Sequence, residues 1–112
     1  MDIKDNKVFL RHILDEINYL EQAAKGKEYS KFMRDETLKR ACARSIEIIG
    51  EATKNLSMDF RRRHKGVEWK KLAGIRDKVI HYYFGVNWDI VWDVIEERLP
   101  ALKGQIEKLL NE

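Results

Sequence analysis

One cysteine and one proline in 112 residues remove several possibilities at once. A single thiol forms no intrachain disulfide and no cysteine cage for a metal. Cys42 falls in an apolar helical register and reads as a small core residue. Six glycines, a lone proline and no serine-rich stretch leave little room for linkers, and there is neither an internal repeat nor a low-complexity tract. No run approaches the ~18 apolar residues of a membrane span, and the first residues lack the apolar core of a signal peptide. These absences set the expectation of one globular domain over residues 1–112, cytoplasmic and away from the membrane.

Charge of one sign is scarce as well. The net charge is only +3, because basic and acidic residues are interspersed through most of the chain. That balance permits contact with nucleic acid without requiring it. The one concentrated run, Arg61-Arg62-Arg63-His64-Lys65, reads first as a solvated face closing a short helix and second as a phosphate-tracking patch.

What the chain has in quantity is amphipathic pattern. Hydrophobic residues make up 44% and charged residues 37%, a balance suited to helices with heavily charged outer faces. Leu10, Ile13, Leu14, Ile17, Leu20 and Ala24 follow three-four spacing and predict a helix over residues 5–25, with Asp5 or Asn6 as cap and Gly26 as stop. A second helix is predicted to start near Ser30 or Asp35 and to reach Leu56, with a stripe of Leu38, Ala41, Cys42, Ser45, Ile48, Ile49, Ala52 and Leu56. Gly50 inside it is unfavourable by about 1 kcal/mol relative to Ala, which close packing would explain. Ser57 is placed to cap a short helix over 58–64, ended by Gly66. A third substantial helix is predicted over 69–84, with Gly74 positioned to bend or split it, Gly85 as its stop and Asn87 as the next cap. The last segment, 88–110, carries Pro100, which removes a backbone donor and predicts a kink or a new start there. No segment shows strand-type alternation. The expected fold class is all-α, an antiparallel bundle of about four main helices plus short helical segments.

The run Arg76-Asp77-Lys78-Val79-Ile80-His81-Tyr82-Tyr83 concentrates chemistry. It holds a fixed cation suited to phosphate, a carboxylate, a group that titrates near neutral pH and a phenol. On an ideal helix Asp77 and His81 share a face, so the carboxylate could fix the imidazole tautomer. Arg76 and Tyr83 share a different face, offset by about 20°. Arg76 and His81 stand about 140° apart, too wide for an intimate pair on one straight helix. A long Arg76 reaching around, a distortion at Gly74, or a site drawn from two subunits would each reconcile them.

The spacing Arg-x4-His-x-Tyr, followed by Phe84-Gly85-Val86-Asn87, resembles the signature of the HepT toxins. These are small helical ribonucleases of the HEPN superfamily, paired with MNT-type nucleotidyltransferase antitoxins. The resemblance covers about residues 5–110. It includes the stretch from Arg44 through Glu47, Gly50 and Glu51 to Ala52, then Trp69 and Leu72 ahead of Ile75-Arg76, and Val91-Trp92 with Leu99-Pro100 downstream. It implies a HEPN-like homodimer whose Arg76 and His81 residues line one cleft, and RNA cleavage that needs neither metal nor cofactor. The nucleophile is then the ribose 2′-hydroxyl, His81 is general base or acid, and Arg76 holds the scissile phosphate. Asp77 matches the polar residue that follows the family's arginine and would orient His81. Tyr83 matches the tyrosine on which the MNT-type partner places AMP, silencing the toxin.

Other residues invite alternatives. Trp88 and Trp92, four apart, suggest a shared packing face, and with Trp69 they read as packing residues ahead of base-stacking platforms. Glu47 and Glu51 are also four apart, but no Glu-x-x-His motif accompanies them, which disfavours a di-metal site. Two other functions remain open on the sequence. One is a catalytically weak helical dimerisation module that binds a nucleotidyltransferase; the other is a purely structural dimer with a fortuitous motif.

Overall fold

The computed structural model describes residues 3–81 and 85–112. The periodic stripe near the N-terminus forms α1, Ile3–Ala24, with Leu10, Ile13, Ile17 and Leu20 fully buried. Gly26, at φ 72°, ends it in the left-handed conformation that glycine adopts without a Cβ penalty. Both predicted starts of the second helix are used: Phe32 anchors a short α2, Tyr29–Arg34, and α3 runs Glu36–Lys54. Asp35 separates them in extended geometry and caps α3, its side chain accepting the Leu38 N–H at 3.0 Å. Cys42, Ile46, Ile49 and Ala52 carry the buried face of α3.

Polar contacts fix how the long helices run. Asn6, near the start of α1, meets Ser57 beyond the end of α3, while Glu16 accepts a hydrogen bond from Ser45 at its middle. These two helices are therefore antiparallel. The helix α8, Leu99–Leu110, is also antiparallel to α1, since Lys103 bonds Glu21 at 2.9 Å and Lys7 reaches the Glu112 carbonyl. Asn6 is not the cap expected of it. It is 2% exposed; its Oδ1 accepts from the Ser57 N–H at 3.0 Å and its amide donates to Ser57 Oγ at 3.3 Å. Burying an amide is tolerable only with such partners.

Ser57 also caps α4, Met58–Arg63, by accepting the Phe60 N–H at 3.1 Å. That helix closes at His64, and Gly66, which has no positive φ, is not its stop. The basic run belongs partly to the fold. Arg61 donates to the carbonyls of Leu56 and Lys54, satisfying the C-terminal end of α3, and Arg63 pairs with Asp59 at 3.2 Å. Trp69 is buried, its indole N–H donating to the His64 carbonyl at 2.8 Å.

The chain closes with α7, Trp88–Asp93, a π-helical turn over Val94–Arg98, and α8. Asn87 caps α7 as predicted. The disruption expected at Pro100 appears as the widened turn before it, where the Leu99 N–H bonds five residues back to Val94. Trp92 packs on Phe32 at 5.0 Å between ring centroids, and the Lys39 ammonium stands 4.9 Å from the centre of the Trp88 ring. Both tryptophans thus pack within the chain. The class is all-α; among the described residues the only strands form one two-residue pair. No described helix is long and apolar enough to cross a membrane.

Candidate active site around Arg76

The helix predicted over 69–84 does not form as one piece. Gly74 splits it, as its position allowed, into α5, Trp69–Ala73, and α6, Ile75–Val79. Beyond Val79 the backbone turns extended: Ile80 has φ −111° and ψ 117°. Strand β1, Ile80–His81, then pairs antiparallel with β2, Gly85–Val86, matching Ile80 to Val86 and His81 to Gly85. Gly85, at φ 80°, serves this hairpin and stops no helix. The Asn87 N–H closes the loop on the Val79 carbonyl at 2.6 Å. The sequence carried a signal for this: Val79, Ile80, the aromatic run and Val86 are β-formers that lose side-chain freedom in a helix.

The correction matters for every relationship drawn on a helical wheel. Asp77 and His81 no longer share a helix face, because the helix ends between them. The separation of about 140° between Arg76 and His81, and the common face of Arg76 and Tyr83, lose their basis for the same reason. Tyr83 lies outside the described residues, as does the side chain of His81.

Arg76 stands at the second position of α6, half exposed. Its Nε is 3.5 Å from Glu47 Oε2 on α3, and its Nη1 is 3.6 Å from Asp77 Oδ1. Arg44, one turn before Glu47, approaches the same Oε2 at 3.6 Å. Glu47 is 26% exposed and Asp77 73%, so the firmer of the two anions is the one on the long helix. Two arginines and two carboxylates cancel locally. What Arg76 offers a phosphate is a set of directed N–H donors, those not turned to Glu47 and Asp77, rather than an excess of positive field. Glu51 is exposed and pairs with Lys54 at 3.7 Å.

Beside this cluster, a cleft of about 810 Å³ opens between α5–α6 and the last helix. Ile49, Leu72, Ile75 and Val94 form its apolar floor, and Asp77 and Lys78 stand at its edge. Arg76 is not part of its lining; it turns to α3 instead. Gly50 faces the α5–α6 junction, but the approach does not require glycine, since an added Cβ would make ordinary contacts. A Cβ there would stand 3.5 Å from the Ala73 carbonyl and from Ile75, in contact, so a larger side chain would push the junction away.

The contact between Glu47 and Arg76 was not legible in the sequence. Nothing in spacing links two residues on separate helices, and Glu47 and Glu51 stood out only as part of the family-like stretch and as a disfavoured pair of metal ligands. Cys42 is fully buried, and loss of hydration, with the Asp35 carboxylate second, pushes its thiol up to about 11. It stays protonated and inert at neutral pH.

Residues 13–109 match the family described as Ribonuclease HepT-like. A protein of Caldanaerobacter subterraneus subsp. tengcongensis, named as a candidate RNase, is 46% identical over 109 residues, 97% of each chain. A protein of Thermococcus cleftensis named "Probable ribonuclease HepT" is 39% identical over 106 residues, 95% of this chain and 96% of its own. A further candidate RNase, from Methanocaldococcus jannaschii, is 37% identical over 112 residues, all of this chain and 93% of that one. No solved structure matches the chain.

Proposed function

Since the chain belongs to the HepT-like ribonuclease family, we propose that it is a metal-independent RNA endonuclease acting as the toxin of a pair with an MNT-type nucleotidyltransferase antitoxin. Its site is Arg76 and His81, contributed by both protomers of a homodimer in which the two motifs meet at one cleft. RNA supplies the nucleophile. One His81 takes the proton of a ribose 2′-hydroxyl, the 2′ oxygen bonds to phosphorus, and the bond to the 5′ oxygen of the next nucleotide breaks as the other His81 protonates it. The products are a 2′,3′-cyclic phosphate and a 5′-hydroxyl. Arg76 binds the phosphate and meets the charge that grows on its oxygens. Asp77, in ion-pair contact with Arg76, helps hold the guanidinium. Transfer of AMP to Tyr83 by the partner adds a phosphodiester anion and a nucleoside to the motif, which silences cleavage by competing with RNA for the site.

The observation that carries this reading is the state of Arg76: anchored along one edge, half exposed, and able to present its remaining donors outward. The test is cleavage of a defined RNA in EDTA, with the ends analysed. Wild type should leave 2′,3′-cyclic phosphate, and Arg76→Ala or His81→Ala should lose about 10²–10⁴-fold in rate while keeping helicity. Equal cleavage by wild type and His81→Ala would sink the mechanism. Absence of cleavage by wild type, together with tight binding of a nucleotidyltransferase, would promote the binding-module reading.

A further inference from the structure

We infer that Glu47 is the positioning residue for Arg76, the side chain that sets where the phosphate-binding guanidinium stands. The inference rests on the proposed role of Arg76.

Arg76 is carried by a five-residue helix that begins after a glycine and ends in extended chain. A single turn does not hold its own geometry in water, so a residue on it inherits its position from its neighbours. Glu47 belongs to a nineteen-residue helix whose adjacent Ile46 and Ile49 are 0% and 1% exposed. Its backbone is therefore fixed by the core, and its carboxylate, 26% exposed, is held from two sides by Arg44 at 3.6 Å and Arg76 at 3.5 Å. Asp77, the other partner, is its sequence neighbour on the same short turn and moves with it. Among the described residues, Glu47 is the group that links the guanidinium to the scaffold by charge.

An exposed ion pair adds little to stability, so orientation is the effect to look for. A displacement of about 1 Å in a reacting group can cost 10²-fold in rate. The contact is to Nε, and with Nη1 turned to Asp77 it leaves Nη2 able to meet a phosphate; loss of Glu47 leaves the guanidinium tied only to the short turn that carries it.

The experiment measures kcat and KM separately for full-length wild type, Glu47→Ala, Glu47→Gln, Arg76→Ala and the double variant Glu47→Ala/Arg76→Ala, on one single-stranded RNA oligonucleotide. Glu47→Ala should lower kcat by about tenfold to a hundredfold with a smaller change in KM. Glu47→Gln, which keeps the size and an accepting oxygen, should recover part of the loss and guards against misfolding of the alanine variant. The double variant should be no worse than Arg76→Ala alone, because the carboxylate acts through the arginine. Glu51→Ala, which removes the same charge one turn further along α3 from a residue paired with Lys54, should cleave like wild type.

Wild-type kcat in both Glu47 variants, with Arg76→Ala inactive, overturns the positioning role. So does a double variant whose losses multiply, which would mean that Glu47 acts independently of Arg76. Normal cleavage by Arg76→Ala is a different failure, that of the site itself.

Discussion

The helix α3 and the described residues 74–81 and 85–87 are held together by opposite means, and α6 leans on α3. The first has nineteen residues, a buried stripe from Cys42 to Ala52, and both ends satisfied, by the Asp35 side chain at one and the Arg61 guanidinium at the other. The second is a five-residue helix followed by two strands of two residues. Its few backbone bonds include a long-range closure from Asn87 to Val79, and its side chains Ile75 and Val79 are its anchors in the core. Elements that short have no independent stability. The candidate chemistry sits on this segment, and its order is supplied by the scaffold. A site so built can be retuned by changes in the loop without disturbing the core.

Three measurements beyond the kinetic ones would sharpen or break this contrast. The largest effect is expected in the scaffold. Ile46→Ala removes a fully buried side chain from α3 and should lower unfolding stability by about 2–5 kcal/mol in a denaturant titration. A loss under about 1 kcal/mol would mean that the core around α3 is loose and that the contrast is misplaced.

Next comes the hairpin. Gly85→Ala puts a Cβ at φ 80°, which costs about 1–2 kcal/mol. If the segment opens as its own unit, hydrogen exchange of the Asn87 amide should accelerate about tenfold while the amides around Ile49 keep their rates. Equal acceleration in both places would show a single cooperative unit.

The third effect is a dependence on pH that belongs to the scaffold alone. The Cys42 thiol is raised from its ordinary 9.0 to about 11 by burial. The folded state therefore binds its proton more tightly than the unfolded chain. The resulting stability is fully present below pH 9 and is lost as pH rises toward about 11. Over that interval Cys42→Ala should lose less stability than wild type, measured as the shift in denaturant midpoint. Identical pH profiles would place the thiol within reach of water.

The same contrast decides what could be read from the sequence. The helices around Leu10–Ile13–Ile17 and Ile46–Ile49 were legible because burial on one face writes a period into the chain. The caps at Asp35, Ser57 and Asn87 were legible because their chemistry is local. The end of α6 at Val79 was missed: a strand of two residues is shorter than any period, and the helical run up to Val79 invited extrapolation through His81. With it went every angular argument about the motif. The Arg76–Glu47 contact was beyond reach for another reason, since it depends on how α6 leans on α3.

The π-helical turn at Val94–Arg98 has a consequence of a genetic kind. Such a turn holds one residue more than an α-helical turn over the same rise. In a regular helix the ring of Pro100 would collide with the carbonyl of Glu96, and the widened turn takes that carbonyl out of the way. The surplus residue and the proline therefore compensate one another. A lineage that loses one of the exposed Glu96 or Glu97 recovers the clash unless the proline goes with it. One that replaces the proline keeps a bulge with nothing left to accommodate. The two changes are tolerated best together, so that insertion, deletion and substitution in this stretch are coupled events.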